Sequence, residues 1–186
     1  MQALEMFIDK MRNIDAPVVL ELGVKRSKPD VCTMHRDWVP HAAEFLGTDF
    51  QDGLDVDIVA DAHSLSSSVG ENRFDGIISC STFEHIQYPW LASVEICKSL
   101  KPGGVVFIQT HPSYPLHAYP YDYWRYTKES LSTLFCEKAG FEILDVMYEF
   151  PCDIVSEESD CSAHESYLNV CLLAQKKGDP IIDFWR

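Results

Sequence analysis

Residues 74–110 read FDGIISCSTFEHIQYPWLASVEICKSLKPGGVVFIQT, and they decide the fold. The apolar run Phe74 to Cys80 precedes residues 90–100, where Leu91, Val94, Ile96, Cys97 and Leu100 recur at helical spacing. Lys101-Pro102-Gly103-Gly104 then forms a turn, and Val105 to Gln109 is a second apolar run of strand length. Strand, helix and strand in that order form a crossover unit whose two strands lie parallel.

The same alternation extends outward. Residues 2–13 read as an amphipathic helix with Leu4, Phe7, Ile8 and Met11 on one stripe. Pro17 opens a strand at Val18–Leu22, ended by Gly23. Residues 24–42 form a polar loop holding one helical turn at most. Further strands fit Glu44 to Asp49 and Val56 to Ala60, and the Ser and Gly content of Ser64 to Asn72 predicts a loop. Downstream, Lys128 to Ala139 is helical with Gly140 as its C-cap. Two extended segments, Phe141 to Phe150 and Tyr167 to Ala174, close the chain around an acidic solvated loop at 156–165. No helix separates that last pair, so it reads as an antiparallel edge hairpin. The expectation is one α/β domain over 1–186, with an N-terminal helix within 1–15 and a core at 17–175. Its doubly wound, mostly parallel, seven-stranded sheet lies between helical layers.

A chain of 186 residues buries a sizeable core without staples. Lys and Arg total 15 against 29 Asp and Glu, a formal net charge of -14. Affinity for nucleic acid rests on cationic contacts, so this balance argues against nucleic-acid partners and against an anionic membrane surface. The seven cysteines are widely spaced with no Cys-x-x-Cys pair, which fits a reducing cytoplasm better than a disulfide framework. The N-terminus lacks the apolar core of a signal peptide, and no run is long enough to span a membrane.

In an open α/β sheet, ligands bind beyond the carboxyl ends of the strands. Those ends carry Glu21-x-Gly23, Gly47-Thr48-Asp49, Asp61-Ala62-His63 and Ser81 to His85. Asp49 is placed to accept from both hydroxyls of a ribose, and Asp61 from a purine amine. Each also suits the blander role of capping a turn.

These residues bring the chain close to a known family. VVLELG (18–23), GTDF (47–50), VDIVADAHSL (56–65), FDGIISCSTFEHI (74–86), LKPGGVVFIQT (100–110) and HAYPYDYWRYT (117–127) occur in order. Over about residues 17–175 the chain resembles the small type 11 branch of the class I S-adenosylmethionine-dependent methyltransferases. The resemblance implies S-adenosyl-L-methionine as cofactor and a Rossmann-like fold. It places Glu21 and Gly23 in the cofactor loop, Asp49 on the ribose with Phe50 beside it, Asp61 and the Ala62 backbone at the adenine edge, and Ser79 and Ser81 below the sulfonium. It implies a small-molecule acceptor, a sugar or secondary metabolite, methylated on oxygen or nitrogen. With little chain left for an acceptor domain, the site is open or completed by a second copy or a partner subunit. One departure stands out: Lys25 and Ser27 occupy positions where the family usually has glycine. Either Lys25 or Arg26 contacts the cofactor carboxylate instead, or the chain is a non-catalytic binding protein of the same fold. A nicotinamide oxidoreductase is a poor rival, because Gly23 to Lys28 lacks G-x-G-x-x-G.

For proton transfer the candidates are His85, directly after the fourth strand, and His117. His111, Tyr119 and Tyr123 fall on the acceptor side. The aromatics of 117–126 read either as a lid or as packing around an Arg125–Asp122 pair. The cluster His35, Arg36, Asp37, Trp38 and His41 reads as a cofactor cover or a surface turn. His63, His85, His111 and His117 raise the question of a metal site, but no H-x₃-H pair supports it, so no metal is expected.

Overall fold

The computed structural model describes residues 2–155 and 164–181. Helix α1 (Ala3–Arg12) leads to strand β1 (Val18–Leu22), followed by β2 (Glu44–Asp49) and β3 (Ile58–Val59). Then come α2 (Leu65–Val69), β4 (Phe74–Cys80), α3 (Pro89–Ser99) and β5 (Leu100–Thr110). Helix α4 (Lys128–Leu134) precedes the closing pair β6 (Phe141–Ile154) and β7 (His164–Lys176). The sheet order is β3-β2-β1-β4-β5-β7-β6, with β1 to β5 parallel and β7 antiparallel to both neighbours. The chain leaves β1 toward β3 and returns to place β4 on the other side of β1. That reversal is the switch point, where loops diverge and open a crevice. The register sets Leu22 beside Thr48 and Ser79, and Cys80 beside Gln109, so the strand carboxyl ends share one rim.

Both sheet faces are covered. On one, Leu65, Ala92, Ile96 and Leu131 of the helices pack over Leu20, Ile77 and Val106. On the other, Phe7 and Met11 of α1 cover Val19, Ile78 and Phe107, with Val39 and Trp38 alongside. Each such side chain withdrawn from water contributes about 1.5–3 kcal/mol.

Some sequence-based boundaries move. The segment 64–72 is not a plain loop. The residues Ala62–Ser64 form a 3₁₀ turn and α2 follows. The Glu95 carboxylate, from α3, accepts the Ser66 N–H at 3.0 Å and its hydroxyl at 2.6 Å, satisfying the start of that helix from a distance. The third strand shrinks to two residues. Lys101 to Gly104 is a bulged entry into β5 rather than a separate turn, with the register shifting between Phe74 and Gly76. The helix expected over 128–139 stops at Leu134, where Phe135 packs against Phe83 and Phe141; a 3₁₀ turn, Glu137–Ala139, completes the span. Gly140 ends it in the left-handed region (φ +91). The last two strands extend past their apolar cores because they pair with each other beyond β5. Of the expected acidic loop, 156–163 lie outside the described residues, and 164–165 belong to β7. No helix among the described residues is long and apolar enough to cross a membrane, and six described cysteines are free thiols.

Candidate functional site

The rim over β1 and β2 is tightly wired. Gly23 takes φ +84, and a Cβ there would lie 2.0 Å from Thr82 Oγ1. Thr82 in turn donates its hydroxyl to Leu22 O or Cys80 O. The glycine is therefore demanded by the chain's own Thr82. Asp49 is buried at the end of β2, where its carboxylate accepts Lys25 N–H at 3.2 Å and Gln51 N–H at 3.1 Å. These bonds use one lone pair on each oxygen, and a carboxylate has about four acceptor sites.

Glu21 is buried and held by His35, which donates its backbone N–H at 2.8 Å and its ring Nδ1–H at 2.6 Å. The His35 ring stacks 4.0 Å from Trp38, which packs edge-on to Phe107. The cluster around His35 thus closes over the β1 end rather than forming a free surface turn. Lys25 bonds Gln51 and Arg26 grips Asp55 and Pro29 O, so both expected cofactor cations have internal partners.

Asp61 caps the turn Ala62–Ser64, accepting His63 N–H at 2.9 Å with His63 Nδ1 2.6 Å away. Burial acts to raise its pKa, but the two bonds from His63 outweigh it and leave the carboxyl below its ordinary value. The side chain is still 61% exposed. His63 Nε2 accepts Tyr88 N–H, fixing the ring between the strand end and α3. Ser79 is buried inside the sheet with its hydroxyl unpartnered, while Ser81 is exposed at the strand exit with φ +50. Burial, then the charges of Glu21, Cys171 and Glu84, push the Cys80 thiol well above its usual range, so it is no nucleophile.

The second half of the rim gathers the histidines. The 3₁₀ turn Phe83–His85 follows β4 and places Glu84 in the interior, fully buried. The segment after β5 folds back over it. Tyr123 N–H and Trp124 N–H donate to Glu84 O, the Trp124 indole donates to Ile86 O, and Tyr126 N–H donates to His111 O. Arg125 donates two hydrogen bonds to Asp122, at 2.6 and 3.0 Å, and others to Tyr114 O and Pro115 O. Those bonds hold the Asp122 carboxyl well below its usual range. Tyr121 packs edge-on to Phe50, 5.7 Å between centroids, so the segment bridges to the β2 end across the crevice. The Arg125–Asp122 pair of the packing reading is present, and the segment it holds lies across the ends of β4 and β2. Tyr119 is 95% exposed and touches none of this, whereas Tyr123 is held by its backbone.

His85, His111 and His117 come together around Glu84. Their Nε2 atoms lie 3.8, 3.3 and 4.0 Å from Glu84 Oε1. His111 stacks on Tyr114 at 4.3 Å, and the rings of His85 and His117 meet edge-to-face at 4.7 Å. His85, His111 and His117 were candidates singly; Glu84 as their common centre was not foreseen. No sequence signal marks it, because the rings arrive from three separate segments.

Comparison with known proteins bears on this arrangement. Residues 33–108, from the loop before β2 into β5, match the family described as a methyltransferase domain. A search of curated proteins returned no match. Among solved structures, the Burkholderia thailandensis 1,6-didemethyltoxoflavin-N1-methyltransferase, holding its substrate and S-adenosylhomocysteine, superposes with a TM-score of 0.63 at 16% identity, covering 95% of this chain and 77% of that one. The chain has the class I methyltransferase fold. An S-adenosylmethionine-dependent methyltransferase of Archaeoglobus fulgidus shares it with a TM-score of 0.64 at 16% identity, over 93% of this chain and 91% of that one. A Haloferax volcanii chain solved in complex with a methyltransferase activator scores 0.62 at 15% identity, covering 95% and 89%. In this fold the rim just described is the switch-point crevice, with the Asp49 side and the His85 side on its two flanks.

Proposed function

We propose that the protein transfers a methyl group from S-adenosylmethionine to a hydroxyl or amine of a small molecule. The observation that carries this reading is the switch-point crevice with Asp49 at the end of β2 and Asp61 at the end of β3. Asp49 keeps free lone pairs for two ribose hydroxyls, with Phe50 beside it. Asp61 and the Ala62 amide take the adenine edge, and Gly23 and Ser81 border the methionine part. The small-molecule acceptor follows the Burkholderia relative and the acidic charge. The Haloferax complex supports a partner subunit or second copy completing the open side.

Held there by Asp49 and Asp61, S-adenosylmethionine would supply an activated methyl group, which an acceptor oxygen or nitrogen would displace from sulfur in line, leaving S-adenosylhomocysteine. Holding the two in line supplies much of the acceleration. The acceptor's proton would leave on the histidine side of the crevice, where His85 and His117 are partly exposed. His111 and Tyr123 line the acceptor's approach, and Tyr119 reaches outward from the same segment.

A second reading is favoured by one observation. Glu21 near the end of β1, and Lys25 and Arg26 in the loop after it, are all spent on internal partners. A non-catalytic binding protein of this fold would look the same there.

Calorimetry with S-adenosylhomocysteine separates the two. The first reading expects binding, and expects Asp49→Asn, which retains one backbone acceptor, to weaken it at least about tenfold through the lost charge-assisted bonds. Unchanged affinity in Asp49→Asn refutes the ribose assignment. No binding by the wild-type chain at millimolar ligand refutes the methyltransferase reading.

A further inference from the structure

The Glu84 cluster asks for a positive charge at its centre. One carboxylate oxygen, Oε2, accepts the Thr110 hydroxyl at 2.8 Å. The other, Oε1, is buried and accepts no hydrogen bond, an unfavourable state for an ionised group. Three imidazole nitrogens stand 3.3–4.0 Å from it. Each ring sets its other nitrogen against a backbone carbonyl: His85 Nδ1 on Tyr121 O at 2.8 Å, His111 Nδ1 on Leu168 O at 2.9 Å, and His117 Nδ1 on Pro115 O at 3.0 Å. A carbonyl only accepts, so Nδ1 carries the hydrogen and the Nε2 of each neutral ring is a bare lone pair. Lone pairs and a carboxylate oxygen facing one another repel.

A proton on one ring would relieve one pair and leave the other nitrogens opposed. A metal ion held by Oε1 and by the Nε2 atoms of His85 and His117 relieves two of the three contacts at once and draws charge from the carboxylate that His111 faces. Ligating histidines commonly donate their second ring N–H to a carbonyl or carboxylate, which fixes the tautomer and aims the ring. All three rings here do so. The ligand atoms of Glu84, His85 and His117 lie within 4.8 Å of one another. In a tetrahedral site with bonds of about 2.0–2.1 Å, neighbouring ligands are about 3.4 Å apart; the two Glu84–histidine separations, 3.8 and 4.0 Å, would each close by about half an ångström, and the His85–His117 pair by more.

We infer that Glu84, His85 and His117 bind a divalent first-row transition cation of the zinc class. Two of the three donors are nitrogen, which suits zinc and disfavours magnesium and calcium. Three protein ligands leave one position open, as catalytic zinc sites do. His85 and His117 are 24% and 30% exposed, which gives the ion a way in. His111 sits behind, against Glu84. The site stands on this geometry alone; its use rests on the methyltransferase reading. There the bound cation would lower the pKa of an acceptor hydroxyl on the flank opposite Asp49, so that its proton leaves to water. His85 and His117, with Nε2 on the ion, would hold that cation instead of taking the proton themselves.

The test is calorimetry of the full chain, stripped with chelator and titrated with zinc chloride, alongside elemental analysis. One zinc per chain is expected. His85→Ala/His117→Ala should bind at least about 100-fold more weakly, and His41→Ala, whose ring bonds Met11 O elsewhere, should match wild type. Should the double variant fail to fold by circular dichroism, cobalt loaded into the wild-type chain decides. Intense visible bands of a four-coordinate site support the proposal, and the weak spectrum of the aqua ion overturns it. Absent stoichiometric zinc, or equal affinity in a folded double variant, overturns it too. S-adenosylhomocysteine binding to the zinc-free protein, measured separately, shows which reading has failed.

Discussion

Replacing Gly23 with alanine tests whether the crevice is built by the chain's own packing. The left-handed backbone (φ +84) costs a side-chain-bearing residue about 1–2 kcal/mol. The new Cβ would also press into Thr82, with Oγ1 at 2.0 Å, Cγ2 at 2.5 Å and Cβ at 2.8 Å. Thr82 is held by its hydroxyl bond to Leu22 O or Cys80 O, so rotating away costs that bond. Overpacking of that kind costs about 1–3 kcal/mol. Gly23→Ala should therefore lose about 2–5 kcal/mol, a fall in melting temperature of about 4–20 °C for a chain of this size. Thr82→Ala alone loses one hydroxyl bond, about 1 kcal/mol. It also removes the atoms that clash, so the double variant should be less destabilised than the sum of the singles by about 1–3 kcal/mol. Urea denaturation followed by circular dichroism measures all four corners of the cycle, without ligand. A Gly23→Ala cost within about 0.5 kcal/mol of zero, or strictly additive costs, would refute the reasoning.

Two further outcomes follow from buried polar groups. The Asp122 carboxyl has a folded-state pKa below its unfolded value of about 3.9, because Arg125 donates two bonds to it. Its stabilisation is therefore complete above that unfolded value and is lost as pH falls below about 4 toward the folded pKa. Asp122→Asn should flatten that acid limb of a urea-midpoint-against-pH profile, and an equally steep limb in the variant would count against the pair. Glu95→Ala strips the Ser66 N–H and hydroxyl of their acceptor and should cost about 1–3 kcal/mol. Faster amide exchange at Ser66 than elsewhere in α2 would localise the loss.

The parallel core was legible because its signals are local. Residues 18–22 and 74–80 are apolar runs of strand length, 44–49 also fits a strand, and the strand borders there match the structure. Helix α3 declares itself by spacing. Where the signal is remote, reading along the chain fails. Residues 65–69 are mostly serine, with no helical stripe to read, yet they form a helix because Glu95 reaches them from a different element. The outer ends of β6 and β7, Pro151–Ile154 and His164–Ser166, lie beyond the extended segments read from the sequence and are strands because each is the other's partner.

The candidate site divides the same way. Strand order and strand length place carboxylates at a common rim, so Asp49 and Asp61 can be named from the chain alone. What else those carboxylates touch cannot. Asp49 is pinned by Lys25 N–H and Gln51 N–H, Glu21 is taken by His35, and both depend on how the loop 24–43 returns over the sheet. The histidines are the clearest case. Glu84, His111 and His117 lie up to 33 positions apart in sequence, in no ligand-like spacing. The crossover brings the ends of β4 and β5 side by side, and the Arg125–Asp122 brace folds 117–124 back over both. Sequence determines which surfaces must be buried and hence which strands lie adjacent. Only tertiary structure decides which polar atoms then face one another, because hydrogen-bond and ligand geometry depend on distances of a few tenths of an ångström that no periodicity encodes.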